Sequence, residues 1–136
     1  HARLNGGRVL LAEDNETNQV IACALLHKAG VLVDVVADGQ AALEQLGKAD
    51  YDAVLMDVHM PVLDGLSATR TLRERGHDLP VIAMTAGVLP LEQQRCLDAG
   101  MNDFIAKPFD VDTMWRTLLK WVAPRVAHHR SASENT

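Results

Sequence analysis

Five residues that could carry chemistry stand where short apolar stretches of the chain end: Glu13, Asp14, Asp57, Thr85 and Lys107. Three carboxylates within ~5 Å of one another would repel by about 3 kcal/mol per pair at an effective dielectric near 20. Such a cluster either raises a pKa or takes a cation. Hard oxygen ligands in a crevice open to solvent suit Mg²⁺, which accepts one or two carboxylates together with a phosphate.

The hydroxyl and the ammonium of this set suit a phosphoryl group. A charged lysine is no metal ligand, but it can pair with a carboxylate and then with a phosphoryl oxygen, and Thr85 can donate a hydrogen bond to another. Asp is a known covalent nucleophile towards phosphorus, in a reaction that depends on positioning and electrostatic stabilisation. The chain has no GxxxxGK[ST] or GxGxxG motif, so we expect another molecule to supply the phosphoryl group.

The elements that must position these residues alternate between strand and helix five times. The predicted strands are 9–12, 31–37, 53–56, 81–84 and 103–106, and the predicted helices are 16–29, the segment from the 38–39 turn to 46, 65–75, 91–99 and 111–122. Repeated βαβ units build a parallel sheet with helices on both faces. We predict a flavodoxin-like, doubly wound α/β fold with strand order 2-1-3-4-5, which makes the first and third strands neighbours and places Asp57 opposite Glu13 and Asp14.

Length and composition limit the alternatives. The 136 residues form one domain, predicted at 8–123, between an N-terminal linker at 1–7 and a flexible tail or linker at 124–136. A net charge of −5 argues against a nucleic-acid binder, and two cysteines are too few for a disulfide framework or a zinc site. The sequence has no apolar stretch of transmembrane length, and we expect no signal peptide because residues 1–7 contain no apolar segment. Because the chain lacks an initiator Met, we expect it to be a piece of a longer protein.

Several strings of the sequence resemble one family. LLAEDNETNQ at 10–19, MDVHMPVLDG at 56–65, MTAG at 84–87 and Lys107-Pro108 occur in the order and spacing of the receiver domain of two-component response regulators. The resemblance extends from about Arg8 to Ala123. The EDNETNQ string is most similar to receivers joined to hybrid sensor histidine kinases.

The resemblance implies a phosphoacceptor and a metal site. Asp57 would take a phosphoryl group from a partner's phosphohistidine. Asp14, Asp57 and the backbone carbonyl of His59 would bind Mg²⁺ directly, and Glu13 would act largely through a metal-bound water.

The resemblance also implies roles around the phosphoryl group. Thr85 and Lys107 would hold its oxygens, and Lys107-Pro108 would be a cis peptide. The implied switch residues are Thr85 and Phe104, and the positions that tune phosphate lifetime are His59 and Gly87. Phe104 stands where the family often has Tyr, and it has no hydroxyl.

The function implied is that of a receiver that phosphorylates and dephosphorylates itself but is not a turnover enzyme. Its partners would be a sensor histidine kinase, a histidine phosphotransfer domain or both. Phosphorylation would change the conformation of the face formed by the fourth and fifth helices, and another protein would bind that face to carry the output. We expect a cytoplasmic location, which includes the cytoplasmic part of a membrane-anchored kinase.

Three other functions share parts of this pattern. An Asp-nucleophile phosphohydrolase would carry an acid/base Asp two positions after the nucleophile, where this chain has His59. A pseudo-receiver would lack an acidic residue or the lysine, and this chain has both. A flavodoxin-type electron carrier would have a Ser/Thr-rich phosphate loop after the first strand and more aromatic residues.

Overall fold

The computed structural model describes residues 4–60, 62–86, 89–107 and 109–134, with the side chains of the last helix described as far as His128. The strands are β1 Arg8–Ala12, β2 Leu32–Val36, β3 Ala53–Asp57, β4 Val81–Thr85 and β5 Asp103–Ala106. The helices are α1 Glu16–Lys28, α2 Gly39–Leu46, α3 Gly65–Glu74, α4 Pro90–Ala99, α5 Val111–Trp121 and α6 Ala123–Glu134.

All four strand pairings are parallel, and the order in the sheet is β2-β1-β3-β4-β5. This confirms the predicted flavodoxin-like fold. In the central pairing Ala12 lies opposite Met56, so the residues that follow β1 stand beside Asp57. The carboxyl ends of β1, β3, β4 and β5 therefore meet at one edge of the sheet.

Side chains of the central strands alternate between two apolar cores. Leu11 and Leu55 pack on the face covered by α1 and α5, whereas Leu10 and Met56 pack on the face covered by α2, α3 and α4. Because both faces are covered, the central strands are apolar at nearly every position rather than at alternate ones. β2 is an edge strand, and Leu32 on it is exposed.

Side-chain caps begin the helices that follow the strands of the site. Asn15 accepts a hydrogen bond from the Asn18 amide at the start of α1, and Asp64 accepts one from the Ser67 amide at the start of α3. These oxygens satisfy amides that have no partner within the helix. The loop between β3 and α3 passes so close to the strand that a Cβ on Gly65 would lie 2.2 Å from the Asp57 carbonyl oxygen, so this position requires glycine.

The two ends of the chain differ from the prediction. The segment predicted as a flexible tail at 124–136 contains α6, and Val126 in it is buried against the α1–α5 core. Val122 and Val126 are four residues apart and so share one face, while Pro124 in the first turn of the helix costs no backbone hydrogen bond. In the predicted linker at 1–7, Leu4 is wholly buried in the same core. Residues 1–3, 135 and 136 lie outside the described residues.

Among the described residues, no helix has both the length and the apolar character needed to cross a bilayer.

Candidate functional site

The carboxylates that follow β1 and end β3 meet at the carboxyl edge of the sheet. One oxygen each of Glu13, Asp14 and Asp57 lies within 4.8 Å of the other two. Glu13 and Asp57 are buried, whereas Asp14 is exposed. The side-chain amide of Gln19 in α1 donates to the Glu13 carbonyl at 2.6 Å and ties the helix to this turn. The convergence expected from the strand order is therefore present.

Lys107 bridges the two buried carboxylates. Its Nζ lies 2.7 Å from Glu13 Oε1 and 3.0 Å from Asp57 Oδ2, and its side chain is 17% exposed. The backbone amide of Lys107 donates to the Thr85 carbonyl, which continues the β4–β5 pairing and aims the side chain across the edge. Burial by itself would lower the pKa of Lys107, but the close contacts with the Glu13 and Asp57 carboxylates outweigh it and raise that pKa. The lysine is therefore a cation at any physiological pH.

The donor set fits a small, hard divalent cation. One ammonium cannot neutralise three carboxylates, so the cluster keeps an excess of negative charge. Glu13 Oε1 is fully buried and has its ion pair with Lys107, but it accepts no hydrogen bond of normal geometry from the residues that the structure describes. Carboxylate oxygens at a rim that stays open through exposed Asp14 are ligands that Mg²⁺ prefers, because it keeps several of its waters.

His59 lies in the loop after β3 and holds Asp57 through the backbone. Its amide donates to Asp57 Oδ1 at 3.1 Å, so both oxygens of Asp57 have partners: the His59 amide and Lys107. The imidazole of His59 is 81% exposed and points away from this contact towards Glu92. The metal role of the His59 carbonyl stays a prediction.

Thr85 ends β4 and is buried, and its hydroxyl donates to Glu92 Oε1 at 2.8 Å. Sequence reasoning missed Glu92, because an acidic residue in the first turn of a helix is ordinarily explained by the helix dipole. Phe104 is half-buried on β5 and packs against the α2–α4 core. Two residues of the expected set, Gly87 and Pro108, lie outside the described residues, so lifetime tuning by Gly87 and the cis peptide stay predictions.

The family model of the response regulator receiver domain matches residues 9–119. The chain belongs to this family. A crystal structure of the receiver domain of the sensor histidine kinase PA1611 from Pseudomonas aeruginosa, with a magnesium ion coordinated in the active-site cleft, has a TM-score of 0.79 and 47% identity. That likeness covers 85% of this chain and 97% of the other.

The relatives include a transcription factor and a histidine kinase, both much longer than this chain. The chain is 40% identical over 121 residues to transcription factor SKN7 of Saccharomyces cerevisiae, covering 89% of this chain and 20% of that protein. It is 38% identical over 116 residues to hybrid signal transduction histidine kinase K of Dictyostelium discoideum, covering 79% of this chain and 10% of that protein. The resemblance to receivers of hybrid histidine kinases is confirmed, and the chain spans a fifth or less of these relatives.

Proposed function

We propose that this receiver accepts a phosphoryl group from a phosphohistidine onto a carboxylate oxygen of Asp57. The P–N bond to the donor histidine breaks as the O–P bond to Asp57 forms, and the donor keeps the electron pair of the broken bond. The observation that carries the proposal is the ion pair between the buried carboxylate of Asp57 and Lys107, 3.0 Å apart, within the acidic cluster of Glu13, Asp14 and Asp57. The residues proposed as nucleophile, cation and metal ligands thus lie close together in the folded chain, which supports the proposal.

Mg²⁺ is the cofactor that we assign to the acidic cluster. Asp14, Asp57 and the His59 carbonyl would bind it, and Glu13 would hold one of its waters. The bound ion would neutralise charge on the cluster and on the incoming phosphoryl oxygens. The magnesium in the cleft of the PA1611 receiver and the fit of the donor set here support this assignment.

Lys107 and Thr85 would hold the transferred group. The Lys107 ammonium lies against Asp57. Because its nitrogen carries three N–H donors, it can keep a contact with Asp57 and also donate to an oxygen of the phosphoryl group. Thr85 would turn its hydroxyl towards another phosphoryl oxygen, and Phe104 would respond by packing rather than by a hydrogen bond. These movements would remodel the α4–α5 face as the output surface.

The partners would be a sensor histidine kinase, a histidine phosphotransfer domain or both. α1 begins directly after the acidic cluster and carries Val20, which is 68% exposed, and Ile21, which is also exposed. An apolar patch beside the phosphoacceptor suits a helical partner that brings its histidine to Asp57. Such a relay takes place in the cytoplasm, where we place this domain, whether or not its parent protein is anchored in a membrane.

The direct test measures intact mass after incubation with acetyl phosphate and Mg²⁺. We expect the mass of one phosphoryl group on the protein, and none on Asp57→Asn. Asp50→Asn is the matched control, because Asp50 is an exposed carboxylate just before β3. Phosphate persisting on Asp57→Asn, or an unmodified natural chain, contradicts the proposal; the latter is the result expected of a pseudo-receiver.

A further inference from the structure

We propose that Glu92 is a positioning residue that holds the Thr85 hydroxyl away from the phosphoryl site and competes with the phosphoryl group for it. This inference rests on the proposed function, since it concerns the switch at the same site. Glu92 would act through Thr85 and not on the reacting atoms.

The contact joins the end of β4 to the first turn of α4. Thr85 Oγ1 donates to Glu92 Oε1 at 2.8 Å. Thr85 is buried and the Glu92 side chain is 24% exposed, so water competes weakly for this hydrogen bond. Its acceptor is a carboxylate, which makes it stronger than a bond between neutral groups.

Glu92 also reaches the loop that follows the phosphoacceptor strand. The same oxygen, Oε1, lies 3.5 Å from Nε2 of His59. α4 begins at Pro90, and the side chain of the preceding N-cap residue, Leu89, makes no capping hydrogen bond. Glu92 therefore links the first turn of α4 to residues that follow or end two neighbouring strands.

A threonine hydroxyl has one proton and can therefore donate only one hydrogen bond at a time. Carboxylate and phosphoryl oxygens act as acceptors at neutral pH, so Thr85 can donate to Glu92 or to the phosphoryl group, not to both. For Thr85 to reach the phosphoryl group, its hydrogen bond to Glu92 must break. The free energy of that hydrogen bond therefore reduces the net free energy gained when the protein switches conformation. Breaking it also releases the first turn of α4 on the proposed output face.

The test uses beryllium fluoride with Mg²⁺ as a probe that stands in for the phosphoryl group. Binding is followed by ¹⁹F and ¹H–¹⁵N NMR, and the quantity compared is the midpoint, the beryllium fluoride concentration at which half of the protein is bound. Glu92→Ala should lower the midpoint about ten- to hundredfold, the range expected when one competing hydrogen bond to a charged acceptor is removed. Asp98→Ala is the charge control on the same helix, because Asp98 is exposed and bonds only Gln94 among the contacts described for it; it should change the midpoint less than twofold.

The double variant separates positioning from charge. In a Thr85→Val background, Glu92→Ala should change the midpoint less than twofold, whereas in Thr85→Ser, which keeps the hydroxyl, it should act as in the natural chain. An equal effect with and without the hydroxyl would show that Glu92 acts only by its charge and would overturn the inference, as would no effect in the natural chain. Failure of the natural chain to bind the probe would instead refute the proposed function, and with it this inference.

Discussion

Replacing Lys107 with Met should destabilise the protein in the absence of metal. The ammonium lies 2.7 Å from Glu13 and 3.0 Å from Asp57. At an effective dielectric near 20 these pairs contribute about 6 and about 5.5 kcal/mol of attraction, most of which offsets the desolvation of the three charges. Removing one member of a buried ion pair costs about 3–5 kcal/mol. We expect about 3 kcal/mol, the lower end of that range, because the crevice is open to solvent at Asp14.

The assay is urea unfolding in EDTA and again in Mg²⁺. Methionine keeps the length and the apolar stem of lysine, so the loss reports the charge. Mg²⁺ at 100 times its Kd stabilises a folded state by about 2.7 kcal/mol. It should stabilise Lys107→Met more than the natural chain, because the variant has no ammonium to repel the ion.

Lys48→Met is the matched control, since Lys48 is an exposed residue after α2. Its free energy of unfolding should stay within about 0.5 kcal/mol of that of the natural chain. The role assigned to the Lys107 ion pairs is wrong if Lys107→Met is as stable as this control in EDTA, or if Mg²⁺ stabilises the natural chain and Lys107→Met equally. The first outcome would mean that the ion pairs contribute no more than surface pairs do.

Two further predictions test other parts of the structure. Burial, followed by the hydrogen bond to Asp34, raises the pKa of Tyr51, the single tyrosine. Its absorbance at 295 nm should therefore titrate at higher pH in the folded chain than in urea. Because the unfolded chain loses this proton first, the free energy of unfolding should fall above about pH 10. Asp34→Asn should lower that pKa part of the way, and an unchanged titration would contradict the role of the hydrogen bond. Val126→Ala should cost about 1–2.5 kcal/mol, because Val126 is buried, whereas Val20→Ala should cost less than about 0.5 kcal/mol, because the side chain of Val20 on α1 is exposed. Equal costs would show that α6 does not pack on the core.

Most of the fold could be predicted because its signals are local. A strand covered on both faces is a short continuous apolar stretch, and Val54 and Ile82 stand in two such stretches with 0% exposure. The β5 bounds agree with the prediction, β2 is one residue shorter at each end, and the other strands are one residue longer at one end. α6 was missed because two buried residues in a polar segment, Ala123 and Val126, carry almost no periodic signal.

The acidic cluster could be predicted for a related reason. Carboxyl ends of parallel strands meet at one edge, so strand order alone brings Asp57 beside Glu13 and Asp14. Glu92 could not be found in this way, because its approach to Thr85 depends on how α4 packs and on the side-chain rotamer, neither of which has a sequence period.

The residue pattern alone is enough to give the order of the elements, the strand ends at which reactive groups stand and the family to which the chain belongs. Three features become visible only in the folded chain: Lys107 bridges Glu13 and Asp57 in a buried position, Glu92 holds the Thr85 hydroxyl, and α6 packs on the core. The physical reason is range: backbone pattern and burial periodicity are set by neighbours in the chain, whereas desolvation and hydrogen-bond partners are set by residues that only folding brings together.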